Sequence, residues 1–359
     1  MKPLYKIRDG VCSRGWLFMG EQGGPCDKAC EFCYYAHQKN LVFFSLPTLI
    51  QHANLFRHYY DLGACDISGG EATIYRDIVP LVKHCAAIGL KPTIITHGQN
   101  LHDGHFIPVS RIEEAGLEDW LISLHGGSPE SHDTILCEEG SFARLTGNLG
   151  NLTRPARFNT TLCTHNVRDL PVSVLADRPP TVWNLITFNP FHYWADKVKN
   201  EIDFQVQYRE AAPYVARAIE TLEGLGWEVN VRYWPLCIAQ EFGFEANVCG
   251  YHQVPFDPWE WRLNVTARQT LEKVKSEGGW YESERLRATE WMRHRENKRC
   301  TSCSLRAVCD KPPEQYQQKF GIEELTPISG PVERDPLVFQ RVRILRTLEE
   351  ADVAVEAAD

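Results

Sequence analysis

The sequence predicts an α/β protein: a full or partial (β/α) barrel over residues 12–235, then a smaller loop-rich domain. Three observations carry this. From residue 14 to 235, short apolar runs alternate with helical patterns. After Trp234 the periodicity weakens and aromatics accumulate, among them Trp259, Trp261, Trp280 and Trp291. The chain holds thirteen cysteines, eight of them in two groups, one in each region. Repeated strand–helix units imply a parallel sheet, because parallel neighbours need crossover helices. A doubly wound open sheet is the alternative, but no G-x-G-x-x-G or G-x-x-x-x-G-K turn follows any strand.

The elements follow in order. Trp16 to Met19 is a short strand. Leu46, Leu49, Ile50, Ala53, Phe56 and Tyr60 recur at helical spacing, with Ser45 and Pro47 as start signals. Ala64 to Ser68 is a second strand. Ile78, Leu81, Val82, Cys85 and Ile88 mark a helix that Gly89 ends. Pro92 to Thr96, Trp120 to Leu124, Arg157 to Thr164 and Val182 to Thr187 are further strands. Tyr208 to Leu225 gives the cleanest amphipathic helix, and Glu228 to Trp234 closes the series as a strand. Six or seven such units suit a barrel. Residues 236–325 are read as the second domain, and residues 326–359 as a helix around Leu337 to Leu348 with a fraying tail.

Composition narrows the function classes. Of 359 residues, 43% are hydrophobic, enough for a sizeable core, and the formal net charge is −9. That charge argues against a general nucleic-acid binder, which needs a basic excess. No apolar run reaches the ~18 residues of a membrane helix, and the first ten residues show no signal-peptide core. A cytoplasmic protein without a membrane or nucleic-acid partner is expected. An odd number of cysteines without a leader points to metal ligands rather than disulfides. Cys12, Cys65, Cys85, Cys137 and Cys163 stand alone and read as small buried hydrophobes.

Cys26, Cys30 and Cys33 form C-x3-C-x2-C. Three thiolates on one loop with no fourth nearby leave one metal position open, which favours a [4Fe–4S] cluster modestly over zinc, whose structural sites close all four positions. The strand Ala64 to Ser68 runs directly into Gly69-Gly70-Glu71, where two glycines permit close backbone approach to a ligand. Together these motifs resemble the radical S-adenosylmethionine (radical SAM) superfamily, over roughly residues 12–235. Its C-x3-C-x2-C follows the first barrel strand with an aromatic, here Phe32, before the last cysteine, and its G-G-E follows the second strand.

The resemblance implies a partial (β/α)6 barrel. Its [4Fe–4S] cluster would chelate S-adenosylmethionine (SAM) and cleave it reductively to a hydrogen-abstracting 5′-deoxyadenosyl radical. By the same resemblance Gly69, Gly70 and Glu71 hold the SAM amino group and Phe32 lies beside the adenine. Ser123 contacts the carboxylate or ribose, and Asn159 the ribose. Many relatives carry Asn-Gly after the third strand; this chain has Thr96-His97-Gly98-Gln99.

The second group, Cys300, Cys303 and Cys309, forms C-x2-C-x5-C, with Cys237 and Cys249 upstream. Structural zinc is a serious competitor here. The region resembles the SPASM and twitch extensions of radical SAM enzymes, though the further SPASM cysteines are absent after Cys309. The resemblance implies one auxiliary [4Fe–4S] cluster on Cys237, Cys300, Cys303 and Cys309, with Cys249 as the substitute for Cys237. The run Arg293 to Arg299 is a local positive patch that reads either as a solvated helix end, the plainer reading, or as a dock for an acidic electron donor such as a flavodoxin or ferredoxin.

For substrate, the strand ends offer His97, Gln99, His125, Asn189, His192 and Tyr233, a polar and aromatic set. No general acid or base is assigned. The main expectation is hydrogen abstraction from a small polar metabolite: a sugar, nucleoside or amino-acid-derived natural product. Dehydrogenation, elimination, decarboxylation or epimerisation would follow. The alternative is maturation of a ribosomally made peptide by cross-linking or epimerisation. Only 25 residues precede Cys26, which leaves no room in cis for a leader-binding domain and tips the expectation to the small molecule. A zinc-structured binding protein is the non-enzyme reading.

Overall fold

In the computed structural model, the described residues are 7–8, 11–12, 14–20, 23–33, 36, 40–59, 62–188, 204–250, 252–253, 263–264 and 294–340. A short antiparallel pair, β1 (Ile7–Arg8) and β2 (Val11–Cys12), precedes the main sheet. The sheet contains seven consecutive parallel strands. They are β3 (Arg14–Phe18), β4 (Ala64–Ser68), β5 (Lys91–Thr96), β6 (Asp119–Ser123), β7 (Ala156–Leu162), β8 (Val182–Thr187) and β9 (Glu228–Arg232). They lie side by side in chain order, with no reversal. That order is a half-barrel and excludes the doubly wound alternative, whose strand order turns back at a switch point.

Between the strands run α1 (Leu46–Asn54), α2 (Ile78–Ala87), α3 (Val109–Glu114), α4 (Pro129–Leu136), α5 (Ser141–Asn148), α6 (Val172–Ala176) and α7 (Tyr208–Gly224). The start signals work as read: Ser45 caps α1 by accepting from the Thr48 amide, and a proline sits in the first turn. Gly89 adopts φ +77° just past α2. Gly15, inside β3, faces Leu62 and Phe56 so closely that a Cβ would lie 2.7 Å from the Leu62 methyl, which seats the segment after α1 tightly on the sheet.

Two short pieces line the sheet's outer edges. β10 (Leu263–Asn264) pairs in parallel with β3, and Val248 bridges to Val231 on β9. Both come from the region read as a separate loop-rich domain. Its described residues also share the barrel's core: Cys303, Leu305, Val308, Cys309, Tyr316 and Leu325 belong to the same buried cluster as Trp183, Leu185 and Val231. Helices α8 (Leu236–Phe242) and α9 (Glu314–Phe320) follow β9. The tail helix expected around Leu337 to Leu348 falls largely outside the described residues.

At the amino ends of the strands, Arg14, Asp66, Thr93, Asp119 and Arg157 form a buried polar floor. Arg14 Nη1 donates to Asp66 Oδ1 at 2.5 Å and Arg157 Nε to Asp119 Oδ2 at 2.5 Å. Because all seven strands are parallel, their carboxyl ends, and the loops after them, gather at the opposite rim.

Candidate active site

The three cysteines of C-x3-C-x2-C lie on the loop after β3. The Cys33 amide donates to the Cys30 carbonyl (2.9 Å), and the Glu31 amide donates to the Ile135 carbonyl (2.9 Å), pinning the loop to the end of α4. Lys28 pairs with Glu138 at 2.6 Å and Glu31 with His165 at 3.2 Å. Cys26 feels Cys30 electrostatically, and Cys30 feels Cys33. Burial, then Cys33, pushes the Cys30 thiol up to about 12; burial and Glu71 push Cys26 further above the thiol range. Without metal these thiols hold their protons, so loading a metal centre releases them. Three neighbouring thiols on one loop fit an iron–sulfur cluster with one vacant vertex.

The Gly69-Gly70-Glu71 turn is packed against this loop. Gly70 has φ +66°, and a Cβ there would lie 2.0 Å from the Pro25 carbonyl oxygen; one on Gly69 would lie 2.5 Å from that of Gly23. The Glu71 amide donates to the Pro25 carbonyl at 2.9 Å. The glycines are therefore needed for the turn to touch the cysteine loop at all. Glu71 is buried. Its Oε1 accepts from the Thr73 amide (3.0 Å), the Thr73 hydroxyl (2.7 Å) and the Thr96 hydroxyl (2.8 Å), and its Oε2 from the His97 amide (3.0 Å).

His97 and Gln99, expected at the substrate mouth, are bonded to neighbouring loops. His97 Nε2 lies 2.8 Å from Asp27 Oδ1, and its Nδ1 accepts from the Gln99 amide. Gln99 donates to the Ser141 carbonyl (2.8 Å) and accepts from Arg144 Nε (3.0 Å). Sequence reasoning missed Asp27, Thr73, Thr96 and Asn100, whose Nδ2 donates to Thr73 Oγ1 at 3.1 Å. Nothing in their spacing signals a role; only the meeting of three loops does.

Phe32 packs in an aromatic wall with His125 (5.0 Å between centroids), Phe188 and Phe204. His125 Nδ1 accepts from the Thr161 amide at 3.2 Å, so Nε2 carries the proton. Ser123 ends β6 opposite Asn159 of β7. Asn159 joins a ladder in the barrel interior: Asn184 donates to Asn159 (2.9 Å), and Asn230 and Arg232 donate to Asn184 (3.2 and 3.4 Å). Tyr233 follows β9 with φ +60°, its ring 6.3 Å from His294. Asn189 and His192 lie outside the described residues. Among the isolated cysteines, Cys65, Cys85 and Cys163 are buried as expected. Cys137 is exposed, correcting that expectation: it caps α4 with φ +56° and contributes to the field at Cys30. The side chain of Cys12 lies outside what is described.

The second thiol group also converges. Cys237 feels Cys303 and Cys300, Cys300 feels Cys309 and Cys303, and Cys309 feels Cys237. Burial foremost lifts Cys237 and Cys300 to about 11 and Cys309 to about 12. Backbone amides already point at two sulfurs: Leu236 N donates to Cys309 Sγ (3.4 Å) and Ile328 N to Cys303 Sγ (3.5 Å). Cys249 is buried, its amide donating to the Val231 carbonyl at 2.8 Å. In the basic run, His294 is buried and bonded to the Lys311 carbonyl, while Lys298 is exposed.

Residues 23–154 match the family model described as the Radical SAM superfamily. A PqqA peptide cyclase of Rhizobium meliloti (strain 1021) is 25% identical over 303 residues, covering 79% of this chain and 78% of that protein. A PqqA peptide cyclase of Methylocella silvestris is 31% identical over 121 residues, 33% of this chain and 31% of that protein. Among solved structures, SuiB of Streptococcus suis bound to precursor peptide SuiA aligns with a TM-score of 0.47 at 14% identity, over 62% of this chain and 49% of that one. Among the described residues, no helix is long and apolar enough to cross a membrane.

Proposed function

The chain belongs to the radical SAM superfamily of enzymes that use a [4Fe–4S] cluster and SAM, and from that premise we propose that it matures a ribosomally made peptide, by cross-linking or epimerisation. One observation carries this reading: similarity to a PqqA peptide cyclase extends over 79% of the chain, past the barrel and into the cysteine-rich region. The small-metabolite expectation rested on the short stretch before Cys26 and gives way to this match. The zinc-binding, non-enzyme reading gives way to the family membership.

When bound, the cluster and SAM supply a one-electron reductive cleavage whose product radical abstracts hydrogen. The chain's own residues have the following proposed roles. Cys26, Cys30 and Cys33 hold the cluster. Gly69 and Gly70 let the turn approach it, and Glu71 offers its carboxylate to the SAM amino group. Phe32 forms the apolar wall for the adenine with Phe188 and Phe204. Ser123 and Asn159, register partners on β6 and β7, would contact the carboxylate or ribose and the ribose respectively. Cys237, Cys300, Cys303 and Cys309 hold an auxiliary [4Fe–4S] cluster, with Cys249 in reserve. An acidic flavodoxin or ferredoxin supplies electrons, with exposed Lys298 in its docking patch.

The test is anaerobic turnover of the reconstituted protein with dithionite, SAM and short peptides encoded beside its gene. We expect 5′-deoxyadenosine in step with a peptide that has lost two hydrogens or gained solvent deuterium at one α-carbon. Stoichiometric turnover of a small metabolite, with no peptide accepted, would overturn the proposal.

A further inference from the structure

The geometry points to His97 as a positioning residue that, through Asp27, holds the Cys26 arm of the cluster-binding loop. Asp27 directly follows Cys26 in the first gap of C-x3-C-x2-C. Its Oδ1 accepts from His97 Nε2 at 2.8 Å, and its Oδ2 accepts from Asn100 Nδ2 at 3.4 Å. His97 is itself held from two sides. Its amide donates to Glu71 Oε2 at 3.0 Å, and its Nδ1 accepts from the Gln99 amide at 3.1 Å. With Nδ1 engaged as acceptor, the single ring proton sits on Nε2, aimed at Asp27 and 3.3 Å from Glu71 Oε2.

The ligand atoms of Cys26, Asp27 and His97 all lie within 4.8 Å of one another. Asp27, at that distance, and Glu71, whose charge also reaches Cys26, repel a future thiolate there. A donor set between them occupies their lone pairs and keeps Asp27 turned toward β5 rather than toward the sulfur. Outer partners of this kind orient metal ligands and are needed for retention of the metal. The clamp therefore joins the loops after β3, β4 and β5, one motif from each.

The inference rests on Cys26 being a cluster ligand. The experiment uses the anaerobically reconstituted full chain and follows iron release to a ferrous chelator, with the reduced-cluster electron paramagnetic resonance signal recorded with and without SAM. Cys26→Ala and Cys303→Ala identify the release phases of the two sites. In His97→Leu we expect the first-site phase to run about 10–100-fold faster, with an altered signal on SAM addition and the second-site phase unchanged. His97→Gln, whose side-chain amide can donate to Asp27, should recover most of the retention. If His97→Leu lacks native circular dichroism, His97→Met, which likewise cannot donate to Asp27, is read in its place with the same expectation. Wild-type release and an unaltered signal in the folded variant would overturn the clamp. A first cluster that survives Cys26→Ala would overturn the ligand assignment itself, and the clamp with it.

Discussion

His125 and His132 show at the residue scale what burial does to a titratable group. They stack at 6.2 Å, and the His125 amide donates to His132 Nδ1 at 3.2 Å. Burial, then His132, drives His125 down to about 3; burial foremost drives His132 to about 4. Both are depressed below the unfolded value near 6.5. As pH falls through 6.5 the unfolded chain takes protons that the folded chain refuses, so stability held above pH 6.5 is lost toward pH 4. Each histidine contributes a loss of about 1–2 kcal/mol between pH 6.5 and 5. We expect His132→Asn, whose Oδ1 can accept from the His125 amide as Nδ1 does, to flatten that slope in urea titrations at a series of pH values. An unchanged slope would show that His132 titrates normally. Residues differ in how legible they are. Cys26, Cys30, Cys33 and the Gly69-Gly70-Glu71 turn announce themselves by spacing. The pairing of Asp27 with His97 does not, because a hydrogen bond across 70 positions leaves no periodicity behind.

At the scale of elements, the seven consecutive strands β3 to β9 were read to within two residues because each is a short apolar run bounded by turn residues; the two-residue β1 and β2 were not read. Ala64–Ser68 and Val182–Thr187 have the expected bounds. β10 was missed: two residues carry no alternation, and its pairing with β3 is tertiary. The polar residues inside strands were missed for a related reason. Asp66 and Thr93 interrupt apolar runs as though they were noise, yet they meet Arg14, Asp119 and Arg157 on the barrel floor. Burial alone would raise the Asp119 carboxyl; Arg157, joined by Arg14 and Thr93, holds it below the usual range. Removing one member of such a buried network leaves the others charged without compensation. Asp66→Ala, read by urea denaturation, should cost about 3–5 kcal/mol. A cost below about 1 kcal/mol, the range of exposed pairs, would mean that water reaches the floor.

At the scale of the whole molecule, the carboxyl-terminal region is built into the barrel as well as carrying the second thiol group. The Tyr316 hydroxyl accepts from the Tyr208 amide at the start of α7 (2.9 Å) and donates to Glu324. Arg209 holds the Glu324 and Thr326 stretch, and the Gln253 side chain donates to the Val308 carbonyl at 2.8 Å. These anchors do not pass through sulfur, so the segment keeps its place when one thiol is lost. The four sulfurs in turn come from both sides of the junction: Cys237 from α8, just past β9, and Cys300, Cys303 and Cys309 from the distal segment. A centre formed there ties the two segments together without supporting the rim where Cys26, Cys30 and Cys33 lie. Two [4Fe–4S] clusters give about eight iron atoms per chain after anaerobic reconstitution. Cys303→Ala should lower this to about four and leave 5′-deoxyadenosine formation under dithionite in place, because Cys303 lies beside Cys237 and Cys300 rather than on the cysteine loop. If that variant strips all the iron, the two sites depend on one another and the junction is part of the catalytic rim. If it retains all eight, Cys249 or another donor takes the vacated position.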